Sequence, residues 1–256
     1  MAPPSAANGD QFARIAPYYD QLMASVPYAR WADYVCDLAL NVCRPIFPGM
    51  RLLDLATGTG SVAIEFARRG CQVTALDLSG PMLEVARRKA KEAGLAITFL
   101  RRDLRRFSIP AEFNCAVCLY DSLNYILEPE DLKEAFANIR AALTPVGTFI
   151  FDVNTVHALE AELFTQTSPS EAPIRYRWQS QYDPETRLST IRMHFEIRET
   201  QEKIAVVHRQ RAYPDAEIRS FLLQAGFGEV QSFDGYRLTP PTITSDRVFY
   251  VAAVPE

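Results

Sequence analysis

The chain has 256 residues, of which 48% are hydrophobic and 23% charged, and a net charge of −4. That is enough apolar material for a full core, with no general attraction to nucleic acid or to an anionic membrane. No apolar run approaches the roughly 20 residues of a bilayer-spanning helix. Residues 1–10 lack the basic-then-apolar order of a secretion signal and read as a disordered tail. The five cysteines are an odd number without framework spacing, which suits a reducing cytoplasm; the chain is expected to work as a monomer or homodimer.

Residues 11–48 open with Gln11-Phe-Ala-Arg-Ile-Ala-Pro-Tyr18-Tyr19-Asp20, break at Val26-Pro27, and continue as a helix from Tyr28 to Cys43. Trp31, Tyr34, Val35, Leu38 and Val42 recur on it at helical spacing. Trp31 and Tyr34 read either as a packing face or as part of a cover over a ligand.

The stretch Leu52–Ala67 organises the rest. It is a buried strand ending in Asp54 and Leu55, a tight turn through Gly58 and Gly60, and a helix carrying Val62, Phe66 and Ala67. Glycine admits φ > 0 and lets a ligand lie against the backbone. The helix start offers free N–H groups and a positive dipole end. Gly58-Thr-Gly-Ser-Val-Ala63 loosely fits a dinucleotide fingerprint, with Asp77 near the distance of a ribose acid, so a nicotinamide-dependent oxidoreductase is one reading. Asp54 argues against it: a carboxylate four residues before the first glycine repels a pyrophosphate and welcomes a ligand with an ammonium group and no phosphate.

Strands and helices then alternate. Gln72–Asp77 is a second strand; Ser79 caps a helix with Pro81 in its first turn, which carries Met82, Leu83, Val85 and Ala86 and stops near Gly94. Further strands are expected at 96–100, 113–119 and 147–152, with a helix over 129–143 and a turn at 143–147. This rhythm predicts a parallel sheet with helices on both faces, whose ligand lies at the carboxyl ends of the strands, where Asp54, Asp77, Asp103 and Tyr120-Asp121 fall. Cys115-Ala-Val-Cys118 is formally a C-x-x-C, but residues three apart in a strand face opposite ways, so core packing is expected and no metal. Arg101, Arg102, Arg105 and Arg106 read as a solvated face.

The glycine segment with its acidic strand end, Leu-Asp-Leu-Ser-Gly-Pro-Met-Leu over 76–83, and Arg-Asp-Leu over 102–104 resemble the class I methyltransferases that use S-adenosylmethionine. The resemblance covers 11–254 and implies a Rossmann-like seven-stranded sheet whose last strand runs antiparallel. It implies that Asp54, Ala56, Gly58 and Gly60 hold the methionine part of the cofactor. Asp77 would take the ribose hydroxyls, and Leu78 and Met82 would pack on sugar and adenine. Asp103 and the Leu104 N–H would meet the adenine edge. The N-terminal segment resembles a lid, with Tyr18 and Tyr19 near the sulfonium and Trp31 also against the cofactor. Tyr120-Asp-Ser-Leu-Asn-Tyr125 resembles the segment of bacterial small-molecule methyltransferases at this place and differs from the Asn-Pro-Pro-Tyr of many DNA and protein amide methyltransferases. It puts Leu119 and Tyr120 beside the cofactor, with Asp121 and Asn124 facing the substrate unless they merely close the turn.

Beyond the fifth strand, 157–165 looks helical and 166–173 reads as a polar loop. Runs at 174–182, 188–199 and 204–213 read as a small antiparallel β insertion across the substrate mouth. His208 is either a sheet-face polar residue or, by the resemblance, a group that orients substrate or receives a proton. A helix over 214–225 and strands at 230–233 and 248–253 complete the core sheet. The organisation expected is thus a tail (1–10), a helical lid segment (11–48), a cofactor core (49–154), the β insertion (155–213) and a C-terminal completion (214–256). The function expected is methyl transfer from S-adenosylmethionine to a nitrogen or oxygen of a small metabolite. A non-catalytic S-adenosylmethionine-binding partner subunit is the other alternative.

Overall fold

The computed structural model describes residues 12–255; the tail expected over 1–10, and Gln11 at the start of the lid segment, lie outside the described residues. A 3-10 turn at Ala16–Tyr18 leads into α1 (Tyr19–Leu22) and α2 (Tyr28–Val42). The core then alternates β1 (Arg51–Leu55), α3 (Ser61–Arg68), β2 (Gln72–Asp77), α4 (Gly80–Glu92), β3 (Thr98–Arg101), β4 (Phe113–Cys118), α5 (Pro129–Ala142) and β5 (Leu143–Asn154). After α6 (Val156–Glu160) come β6 (Gln166–Thr167), β7 (Ile174–Asp183), β8 (Leu188–Ile197) and β9 (Glu202–Arg211). The chain closes with α7 (Asp215–Gln224), β10 (Val230–Asp234) and β11 (Arg247–Ala253).

Seven strands form one sheet in the order β10-β11-β5-β4-β1-β2-β3, and β6 to β9 form a separate antiparallel sheet in chain order. Strands β1 to β5 run parallel to one another, and β11 enters antiparallel against β5, as the resemblance implies. The order reverses between β1 and β4, which opens a crevice at their carboxyl ends. Alternation splits the core between the two faces. Leu52, Cys115, Ile150 and Phe249 pack with α2 and α3, whereas Leu53, Cys118, Phe151 and Tyr250 pack with α5 and α7. The two cysteines of the C-x-x-C accordingly point into different clusters.

Several boundaries differ from the sequence expectation. The turn at 143–147 is instead the bulged start of β5: Phe113 pairs with Leu143, and the register jumps so that Cys115 pairs with Thr148. The helix over 157–165 shortens to Val156–Glu160, where Thr155 caps it by accepting from the Ala158 N–H. The polar loop at 166–173 contributes the short strand β6, whose Gln166 and Thr167 pair with Trp178 and Arg177.

Gly60 packs tightly against α4. It has φ +77, and an added Cβ would lie 2.9 Å from the Ala86 Cβ on α4. Gly60→Ala is expected to lower stability by about 2–4 kcal/mol, combining left-handed strain with overpacking. Gly58, at φ +55 with no atom near a Cβ, pays only the first penalty. Urea unfolding of the two variants checks the ordering, and equal losses would contradict it.

Candidate active site

The carboxyl ends of β1, β2 and β4 meet one cavity of about 480 Å³ that runs from the glycine turn to beneath the antiparallel sheet. At the β1 end the chain makes three left-handed steps, Ala56 (φ 53), Gly58 (φ 55) and Gly60 (φ 77). These turn the backbone sharply into α3. Asp54, 2% exposed, accepts a hydrogen bond from the Thr57 hydroxyl at 2.5 Å. Burial pushes its carboxyl up to about 7, an effect that the Thr57 hydroxyl and the Ala63 N–H only partly oppose. At the β2 end, Asp77 accepts from the Gly58 N–H and the Ser79 N–H, each at 2.8 Å. This carboxylate ties the glycine turn to the next helix. Ser79 caps α4 from its hydroxyl, which brings Met82 (2% exposed) against the cavity, with the more exposed Leu78 beside it. After β3, Asp103 is gripped by Arg105, which lowers its pKa, and Arg105 also reaches Asp131 at 3.2 Å. Asp103 and Leu104 both line the cavity.

The β4 end is held by a buried ionic cluster. Tyr120 (φ 69) and Asp121 (φ 50) are both left-handed, which a non-glycine residue adopts only under constraint. Their N–H groups donate to the two oxygens of Asp152, at 2.7 and 3.0 Å. Arg247 at the start of β11 bridges Asp152 and Asp121, with 2.8 Å to the latter. The Gln210 amide donates to the other Asp121 oxygen at 2.6 Å. Burial raises the Asp121 carboxyl, and Arg247 opposes that. Although burial alone would lower Arg247, the two carboxylates hold it above its usual range.

Of the residues singled out in the sequence, Tyr19, Asp54, Ala56, Gly58, Asp77, Leu78, Met82, Asp103, Leu104, Leu119, Tyr120, Asp121 and His208 line this one cavity. Three expectations need correction. Asn124 does not face the cavity: it is 0% exposed, gives its amide to the Asn154 and Arg211 carbonyls and accepts from the Asn154 N–H, so it ties the turn after β4 to the ends of β5 and β9. Trp31 is a layer removed, stacked on Tyr120 with ring centroids 5.1 Å apart. Gly60 packs on Ala86 rather than lining the cavity. Asp121 reaches the cavity with both oxygens already engaged, so it is not the uncommitted proton acceptor that a strand-end carboxylate suggests. Of the Tyr18-Tyr19 pair in the N-terminal segment, Tyr19 lines the cavity, while Tyr18 donates to Glu202 on β9 at 2.8 Å.

Sequence reasoning missed Asp152 and Arg247. Asp152 carried a readable signal, being one more acidic residue towards the carboxyl end of a parallel strand. Arg247 carried none, because it reaches Asp121 only through the antiparallel entry of β11.

A methyltransferase domain model matches residues 52–147, the stretch from β1 to β5. The Bacillus subtilis (strain 168) protein YqeM, whose name assigns it to the methyltransferases, is 32% identical over 244 residues, covering 93% of this chain and 94% of that protein. The chain belongs to the class I S-adenosylmethionine-dependent methyltransferases.

The crystal structure of an S-adenosylmethionine-dependent methyltransferase from Clostridium acetobutylicum ATCC 824 superposes on this methyltransferase with a TM-score of 0.84. The identity is 26%, over 96% of this chain and 99% of that one. The dTDP-3-amino-3,6-dideoxy-alpha-D-glucopyranose N,N-dimethyltransferase of Streptomyces fradiae is 31% identical over 158 residues, 59% of each protein. The cofactor of the enzyme is therefore S-adenosylmethionine, and the oxidoreductase reading of the glycine turn falls away. The residues present fit that group: a cation suits the buried carboxyl of Asp54, and the Gly58 position presents open space where a side chain would stand.

Proposed function

We propose that this methyltransferase transfers its methyl group to a nitrogen or oxygen atom of a small metabolite. The observation that supports this best is the cavity itself. It continues from the strand ends into a chamber roofed by β6 to β9 and walled by the N-terminal segment through Phe12, Ile15 and Tyr19. At about 480 Å³ for its cofactor and acceptor ends together, the cavity is of small-molecule size. The Streptomyces fradiae relative, named for an amino-sugar substrate, agrees with that class.

In this reading Asp54 faces the cofactor's ammonium group, Asp77 its ribose, and Met82, Leu78, Asp103 and Leu104 its adenine. When bound, S-adenosylmethionine supplies a methyl group already activated by its sulfonium. The chain's task is then alignment, which can account for roughly 7–11 kcal/mol of a barrier. The Asp152 carboxylate fixes the Tyr120-Asp121 backbone, and with it the Tyr120 ring beside the chamber. His208, with Nδ1 3.3 Å from the Tyr125 hydroxyl, forms the polar edge at which an acceptor is oriented. The N-terminal segment excludes water. It is tied down by Asp20, which accepts from the Thr59 hydroxyl at 2.6 Å and from Lys89 at 2.8 Å. Because the Asp20 pair is partly exposed, Asp20→Ala is expected to raise KM for S-adenosylmethionine only about two- to fivefold. Steady-state kinetics at fixed ionic strength reads this out.

The test of the reading is transfer of a labelled methyl group in a cell extract separated by size. Label in a low-molecular-mass compound other than the methyl donor and its breakdown products supports it, and transferred label confined to protein or nucleic acid overturns it.

A further inference from the structure

The charge pattern of the chamber narrows the acceptor, on the basis of the small-molecule reading above. Strand alternation sends Arg175, Arg177, Arg192, Lys203 and Arg209 of the roof sheet outward, exposed on its far face, while Arg211 at the end of β9 gives its guanidinium to the Leu127 carbonyl at 3.1 Å and does not line the cavity. The inner face of the sheet turns Tyr176, Trp178, Ile191, Met193 and Phe195 into the cavity, with Gln166, His208 and Gln210 as the polar groups. The lining residues of the N-terminal segment, from Phe12 to Tyr28, include no charged side chain either. Residues 1–11 contain no lysine or arginine, so they cannot supply a basic side chain from outside the described residues. The guanidinium at the chamber's inner end, Arg247, is already shared by Asp121 and Asp152. The cavity's other arginines, Arg102 and Arg105, flank Asp103 at the β3 end, and Arg105 is paired with two carboxylates.

An anion placed under this roof would lose its hydration and meet no uncommitted arginine or lysine there, which strongly disfavours it. A flat apolar ring meets aromatic and aliphatic walls instead. We infer that the acceptor is an uncharged, largely apolar ring compound presenting its nucleophilic atom to the Tyr125–His208 edge, and that the chamber rejects phosphorylated or nucleotide-linked acceptors.

The experiment measures binding of 2-naphthol and 2-naphthyl phosphate to the full chain saturated with S-adenosylhomocysteine. The naphthol is expected to bind at least 50-fold more tightly than the phosphate. Gln166→Lys, at an exposed position lining the chamber, and Met193→Lys, deeper on the inner face, should each narrow that gap at least tenfold. Retained affinity for S-adenosylhomocysteine reports that each variant is folded, and the Gln166 variant carries the test if the Met193 variant is not. Equal or tighter binding of the phosphate by the unmodified protein overturns the inference, as does failure of the naphthol to bind. Either failure alongside transfer of label to a low-molecular-mass compound of the extract removes the apolar-acceptor class alone. Label found only in macromolecules removes the small-molecule reading beneath it.

Discussion

Asp77→Ala is expected to weaken S-adenosylmethionine binding by roughly two to four orders of magnitude while the fold survives. A carboxylate that accepts two ribose hydroxyls contributes about 1.5–3 kcal/mol per bond, and each 1.4 kcal/mol is tenfold in affinity. The same carboxylate holds the Gly58 and Ser79 N–H groups at 2.8 Å. Those groups lie at a cavity wall, where water can replace their partner, so the expected loss of stability is about 1–2 kcal/mol. Calorimetric titration alongside urea unfolding separates the two effects. A dissociation constant within threefold of the unmodified enzyme would remove the ribose assignment.

The second large effect is on folding. Arg247→Met leaves Asp121 and Asp152, 4% and 0% exposed, without their shared cation. Breaking a buried ionic cluster from one side in this way costs about 3–5 kcal/mol. For a chain of this size that is a fall in melting temperature of roughly 10 °C. The sign of the pH dependence identifies the cause. Burial already raises the Asp121 carboxyl, and removing Arg247 raises it further. A carboxyl raised in the folded state loses stability as pH rises through its folded value, so the variant's deficit should be smaller at pH 5 than at pH 8. Adding Asp121→Asn should restore part of the loss. A deficit under 1 kcal/mol, or one that does not change with pH, would contradict this account of the cluster.

The sequence made the frame of this site readable because its chemistry sits in runs of neighbouring residues. Asp54, Gly58, Asp77 and Asp103 each stand where a parallel strand ends, and a strand end has a fixed place in such a sheet. The turn after β4 was legible as a polar segment but not in its facing. Asp121 and Asn124 are both short and polar, and the direction of each depends on left-handed backbone steps at Tyr120 and Asp121 that Asp152, 31 residues on from Asp121, imposes. Trp31 recurs at helical spacing with Tyr34 and Leu38, which says that it packs but not whether a ligand or Tyr120 lies against it. The Arg247 contact spans 126 residues and follows from sheet topology alone. The charge segregation of the roof sheet, by contrast, was present in the alternation of β7 to β9. It acquired meaning only once the inner face was seen to cover the cavity.

The measurement that goes most directly to the centre of the account is the pH dependence of S-adenosylhomocysteine binding, since this ligand carries the same ammonium group as the cofactor. With the Asp54 carboxyl near 7 in the free protein, an adjacent ammonium must lower it, so binding below that pH releases a proton. The account predicts that affinity climbs by up to about tenfold per pH unit from pH 5.5 towards 7 and then levels, and that Asp54→Asn abolishes the climb. Affinity that stays flat across this range, or a climb that persists in the Asp54 variant, would contradict the placement of a cationic ligand beside this buried carboxylate.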